Sequence, residues 1–122
     1  MAKILIIDDY NLFRSMLLDL LAHKGHEILE ANDGQTGFDL FQKTKPNLVI
    51  TDILMPEKEG MQTIREMRKE SPDIKIIALS GGGTHPDGLG YLQMALDLGA
   101  NHSFPKPFKN KEFLQVVDTL TA

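Results

Sequence analysis

Three aspartates, one serine and one lysine have the types and the spacing to do chemistry together. Asp8 and Asp9 stand side by side, and Asp52, Ser80 and Lys106 follow at long intervals, each at the end of a short apolar run. Taken singly, an aspartate behind an apolar run is most often a helix cap or a turn former, because its carboxylate accepts from nearby backbone amides. Brought together, three carboxylates repel one another, and each charge already present raises the cost of ionising the next. Lys106 can offset one of them. A hard divalent cation can offset the rest, and Mg²⁺ suits oxygen ligands, keeps several waters and pairs readily with phosphate. A carboxylate, a magnesium site, a hydroxyl and a lysine are the parts needed for phosphoryl transfer onto an aspartate.

Those five groups can meet only if the chain folds their apolar runs into one sheet. Residues 4–7, 48–50 and 74–79 are nearly all apolar, with weaker runs at 27–31 and 101–104, and these read as five strands. Runs without polar alternation belong to strands covered on both faces, which is the parallel-sheet case. The covering helices follow from spacing. Leu12, Phe13, Met16, Leu17, Leu20 and Leu21 recur at helical intervals up to Gly25, and Phe38 and Phe41 mark a helix that stops before Pro46. Ile64 with Met67, Leu92 with Ala95 and Leu98, and Phe113 with Val116, Val117 and Leu120 mark three more. Five strand-then-helix repeats with right-handed crossovers give an α/β fold, a doubly wound parallel sheet with helices on both faces. Ligands of such sheets bind beyond the carboxyl ends of the strands, where the five polar groups fall.

Composition narrows the alternatives. A chain of 122 residues is one domain, able to bury roughly two-thirds of its unfolded surface. It contains no Cys, which removes disulfides, thiolate metal sites and thiol nucleophiles and fits the cytoplasm. Its 13 Lys+Arg against 17 Asp+Glu give a net charge of -4, no general attraction for nucleic acid. No apolar run approaches the ~18 residues of a membrane span, so membrane insertion is not expected.

The segments IIDD (6–9), TDILMPEKEG (51–60), Ser80-Gly81, LGAN (98–101) and PKPF (105–108) resemble the receiver domain of two-component response regulators, in order and over essentially the whole chain. The resemblance implies a flavodoxin-like sheet of order 2-1-3-4-5 and a single receiver domain over residues 1–122 without an output domain. It implies that Asp52 is the phosphoacceptor, attacking a phosphohistidine on a sensor histidine kinase or a histidine phosphotransfer protein. Asp9 would then ligate Mg²⁺ directly and Asp8 chiefly through water, with the backbone carbonyl of Leu54 completing the set. Lys106, before a cis Pro107, would pair with one phosphoryl oxygen and the Ser80 hydroxyl with another. Such a domain is a cytoplasmic signalling module that catalyses only its own phosphorylation and dephosphorylation and acts through a downstream protein.

Two features depart from that pattern. Ser103 stands where the family usually has an aromatic switch residue, and a serine cannot displace comparable apolar volume. Its neighbour Phe104 alternates to the other side of the strand and is expected in the core. The stretch between Ser80 and Gly99 is longer than usual by about four residues, roughly one helical turn. Gly81, Gly82, Gly83, Gly88 and Gly90 with Pro86 delay the fourth helix to about Leu89. The Gly-Lys-Ser/Thr ending of a nucleotide-binding loop is missing there. Gly60 reads as a backbone constraint, the dispersed methionines as core filler, the histidines as surface or turn residues, and the charges of 65–70 as a solvated helix face. Two other functions fit the same fold: an interaction module indifferent to phosphate, and a small aspartate-nucleophile phosphatase. The intact set of Asp8, Asp9, Asp52, Ser80 and Lys106 weighs against the first. The neighbours Thr51, Ile53 and Leu54, which supply no second acid beside Asp52, weigh against the second.

Overall fold

The computed structural model describes residues 2–53, 60–80 and 88–122. Strands β1 (Lys3–Ile7), β2 (Glu27–Ala31), β3 (Leu48–Asp52), β4 (Lys75–Ser80) and β5 (His102–Pro105) alternate with helices α1 (Asn11–Ala22), α2 (Gly34–Thr44), α3 (Gly60–Glu70), α4 (Gly88–Leu98) and α5 (Asn110–Thr121). The sheet is wholly parallel, in the order β2-β1-β3-β4-β5. The expected fold and strand order are therefore found. Boundaries shift by one or two residues: Asp52 and Ser80 are the last residues of β3 and β4 rather than the first beyond them, and α4 begins one residue early.

Alternation along the strands sorts the core into two layers. Ile4, Ile6, Leu48, Ile50, Ile77 and Leu79 point to the side of Leu17, Leu21, Phe113 and Val117, residues of α1 and α5. Leu5, Ile7, Val49, Ile76 and Ala78 point to the opposite side, where Phe41, Ile64, Met67 and Ala95 from α2, α3 and α4 cover them. Each fully buried Ile or Leu contributes roughly 1.5–3 kcal/mol, so this two-sided burial is what holds the strands side by side. The apolar pattern of α1 is wider than its buried arc. Leu12 and Met16 remain 73% and 42% exposed, and Met94 on α4 is 51% exposed, so these methionines are not core filler as expected, whereas Met67 is fully buried.

Register places the polar residues. Ile7 is level with Thr51 across β1 and β3, so the next residues, Asp8 and Asp52, come level too. Asp52 pairs with Leu79, and Ser80 with Pro105, the residue before Lys106. Gly60 is required by a close approach at this edge: a Cβ there would lie 2.0 Å from the Asp52 carbonyl oxygen and 2.5 Å from Ile53 Cα. Its expected role as a backbone constraint holds.

Candidate functional site

Asp8 and Asp52 are buried, at 0% and 5% exposure, and Asp9 is exposed beside them. Both oxygens of the Asp8 carboxylate accept hydrogen bonds. Its Oδ1 accepts from the Tyr10 backbone N–H at 2.9 Å, and its Oδ2 accepts from Lys106 Nζ at 2.7 Å. The same ammonium donates to Asp52 Oδ2 at 3.1 Å, so one lysine joins the ends of two adjacent strands. Burial pulls the Lys106 pKa down, but the Asp8 hydrogen bond and the charges of Asp52 and Asp8 outweigh it and leave the ammonium above its ordinary value.

One oxygen from each of Asp8, Asp9 and Asp52 lies within 4.8 Å of the others. Three carboxylates against one ammonium leave negative charge uncompensated within this set. All the donors are hard oxygens, and opposed ligands of Mg²⁺ stand about 4.2 Å apart, so the cluster fits a small divalent cation that keeps waters in its remaining positions. Ser80 is fully buried at the end of β4, and its carbonyl accepts from the Lys106 backbone N–H at 2.8 Å. The Lys106–Pro107 peptide is cis.

Comparison with known proteins assigns the chain to a family. The family model for the response regulator receiver domain matches residues 4–118. This chain belongs to the response regulator receiver family. Among curated relatives, a probable transcriptional regulator ycf27 of Galdieria sulphuraria is 43% identical over 90% of this chain and 41% of its own length. The response regulator MprA of Mycolicibacterium vanbaalenii is 32% identical over 92% of this chain and 47% of its own. The chain therefore spans less than half the length of the curated relatives it matches. A receiver domain protein from Clostridium thermocellum has the same fold at a TM-score of 0.90, with 31% identity over 99% of this chain and 94% of that one. The chemotaxis protein CheY4 of Vibrio cholerae follows at 0.86, with 28% identity over 98% of each chain. Receiver domains are signalling domains of two-component systems and not enzymes in the ordinary sense. No helix among the described residues is long and apolar enough to cross a membrane.

Of the site residues expected from sequence, the receiver edge brings Asp8, Asp9, Asp52 and Lys106 together and sets Ser80 at the neighbouring strand end. Leu54, proposed to ligate through its carbonyl, and the glycine-rich stretch 81–87 lie outside the described residues. Ser103 is half-buried opposite Ala78, on the α2–α4 side of the sheet. Phe104, opposite Leu79, packs on the α1/α5 side as expected of a core residue.

Sequence reasoning missed three residues. Arg14 donates to the Asp8 carbonyl at 2.6 Å, to Asn11 Oδ1 at 2.7 Å and to Glu30 Oε1 at 3.1 Å, and so ties down the turn that carries the acidic pair. Its place three residues beyond Asn11, one helical turn on, is a weak signal in hindsight. Arg68 is not part of a merely solvated face. It donates to the carbonyls of Gly99, Ser71 and Pro72 and to Asn101 Oδ1, and burial lowers its pKa. Gly99 is required there: its φ is +123°, and a Cβ would meet Arg68 Cγ at 2.9 Å. Phe13, read only as part of an apolar stripe, lies with its ring 4.3 Å from Lys106 Nζ.

Proposed function

We propose that this receiver domain accepts a phosphoryl group on Asp52 from a phosphohistidine donor, a sensor histidine kinase or a histidine phosphotransfer protein, with Mg²⁺ as cofactor. The observation that carries the reading is the single ammonium of Lys106 held between Asp8 and Asp52 beside the exposed carboxylate of Asp9. In the reaction an Asp52 carboxylate oxygen attacks phosphorus in line, the P–N bond breaks, and its electron pair leaves with the donor imidazole, which takes up a proton. Little covalent help is needed in such a transfer, so positioning and charge neutralisation dominate. Lys106 follows the charge as it moves from the carboxylate to the phosphoryl oxygens, and the Ser80 hydroxyl donates to another of those oxygens. Asp8, Asp9 and Asp52, with the Leu54 carbonyl, are the residues that would hold Mg²⁺. Bound there, the ion draws negative charge from the phosphoryl oxygens.

The domain catalyses only its own phosphorylation and the hydrolysis that reverses it, and it signals by contact with a downstream protein. A cytoplasmic setting suits its cysteine-free composition. The net charge of -4 supports a protein rather than nucleic acid as the direct contact of these residues. In the relatives named as transcriptional regulators, the matched region is less than half the chain. With Ser103 in place of an aromatic, the structural response to phosphate is carried by parts of the domain other than an inward-turning ring on β5.

Acetyl phosphate or a phosphorylated histidine donor, with Mg²⁺, is expected to add one phosphoryl group by intact-mass spectrometry. Asp52→Asn is expected to abolish the addition. An unmodified wild-type chain under those conditions overturns the proposal.

A further inference from the structure

We infer that Phe13 is a positioning residue for Lys106: the face of its ring holds the ammonium in place between the two carboxylates it bridges. The inference rests on the reading of Asp52 as the phosphoacceptor and adds a residue to its machinery. The Lys106 Nζ lies 4.3 Å from the Phe13 ring centroid, well inside the range of a cation–π contact, while it donates to Asp8 and Asp52. The Lys106 side chain is only 13% exposed, so little water competes for the charge.

The ring is itself anchored. Phe13 meets Phe108 edge-on at 5.9 Å and 86°, and Phe108 stacks on the fully buried Phe113 at 4.5 Å and 19°. Phe104 closes the group against both Phe108 and Phe113. Four rings from α1, β5, the segment after it and α5 thus form one wall, in which the Phe13 ring meets the lysine.

What such a wall does follows from the chemistry of the ammonium. A lysine is a compact point charge on a long flexible stem, and its hydrogen-bond partners must change when the phosphoryl group arrives on Asp52. A third carboxylate or carbonyl would steady the ammonium but would compete with the phosphoryl oxygens for its protons. An aromatic face attracts the charge with no directional acceptor, so Nζ can slide from carboxylate to phosphoryl oxygen while remaining over the ring. Phe13 carries no group that reacts or ligates, and acts only through Lys106.

The test compares the full chain with Phe13→Leu, Phe13→Met and Phe13→Tyr, following phosphorylation by acetyl phosphate and Mg²⁺ with intact-mass spectrometry. Thermal unfolding identifies any variant that fails to fold. Leu and Met keep apolar cover without an aromatic face and should slow phosphorylation by about fivefold, whereas Tyr should retain the wild-type rate. In parallel, the Lys106 ε-methylene protons should show an upfield ring-current shift in the wild-type and Tyr chains that disappears in the Leu and Met chains. Rescue by Tyr distinguishes the aromatic face from simple packing. A wild-type rate in the Leu or Met variant, or a Tyr variant as slow as Leu, overturns the inference. A wild-type chain that takes up no phosphoryl group instead overturns the functional reading beneath it, and the ring-current shift still reports whether the contact exists.

Discussion

At the amino ends of the strands, polar side chains complete the backbone ladder. Asn47 Oδ1 accepts from the Lys3 amide at 2.8 Å, Asn101 Oδ1 from the Ile76 amide at 2.8 Å, and His26 Nδ1 from the Ala2 amide at 3.1 Å. Each is a neutral acceptor for a backbone amide at or next to the start of a strand. At the carboxyl ends the polar residues are carboxylates crowded within 4.8 Å, with one lysine between two of them. The first arrangement satisfies amides that would otherwise be stranded at the ends of the sheet. The second accumulates like charge, whose mutual repulsion opposes folding, a cost that a protein retains where the charge has a use. The same sheet therefore carries a structural end and a chemical end, and substitutions at the two should have opposite consequences.

The largest effect is expected at the amino end. Asn101→Ala leaves the amide of the fully buried Ile76 without its acceptor and takes one partner from Arg68. The cost should be about 2 kcal/mol in urea unfolding, with the phosphorylation rate of the folded protein unchanged. A loss of phosphorylation in a chain that is still folded would break the division between the two ends.

At the carboxyl end the sign reverses. Asp9 is exposed, so Asp9→Asn removes a repelling charge without leaving a buried group unpaired. With divalent ions chelated, the variant should be more stable than the wild type by roughly 1 kcal/mol, the size of two screened repulsions near 5 Å. Mg²⁺ at ten times its dissociation constant should then stabilise the wild type by about 1.4 kcal/mol and the variant much less, so that the order inverts. Thermal midpoints in chelator and in Mg²⁺ measure both. An Asp9→Asn chain less stable in chelator would mean that the cluster is not strained by its charge.

The two ends also differ in how far they could be read from sequence. The carboxyl end was legible because Asp8, Asp52, Ser80 and Lys106 each close or follow an apolar run, and parallel register converts that repeated position into proximity. Gly60 was legible for the same reason, since the close approach it permits is to the end of β3. The amino end was not. Arg68 reaches Gly99 and Asn101 across 31 and 33 residues of sequence, and its partners include backbone carbonyls that leave no trace in residue type. Helical spacing likewise found the buried Leu17 and Leu21 of α1 but also gathered Leu12 and Met16, because an apolar stripe does not state which part of its arc is covered. The contact of Phe13 with Lys106 lay beyond reach, since it depends on how α1 leans against the segment after β5.

Alkaline titration separates the ends by a smaller margin. The folded pKa of Lys106 lies above its ordinary 10.5, because the Asp8 hydrogen bond and the charges of Asp52 and Asp8 exceed the opposing effect of burial. Its stabilising contribution is therefore complete below the unfolded pKa and is lost as pH rises through the folded one. Lys106→Met should be less sensitive than the wild type to a rise from about pH 9 to about pH 11, measured as the difference in thermal midpoint. Equal sensitivity in the two chains would show that Lys106 gains nothing from its carboxylates in the folded state.

The smallest effect belongs to His26 and runs in the acid direction. Partial burial is the first cause of its lowered pKa and nearby positive charge the second, while Asp118 pulls weakly the other way. Its Nδ1 must remain an acceptor to keep the Ala2 amide, so a proton there breaks the bond that closes β1. A folded pKa below the unfolded value means that the unfolded chain binds the proton first. Stability is then complete above the ordinary value of 6.5 and falls as pH drops through it, levelling off below the folded pKa. Between about pH 7.5 and about pH 5.5 the wild type should lose a few tenths of a kcal/mol more than His26→Gln, whose amide oxygen can accept the same N–H at any pH. Urea midpoints at the two pH values decide it: parallel losses would remove His26 from the structural end and leave Asn47 and Asn101 to define it.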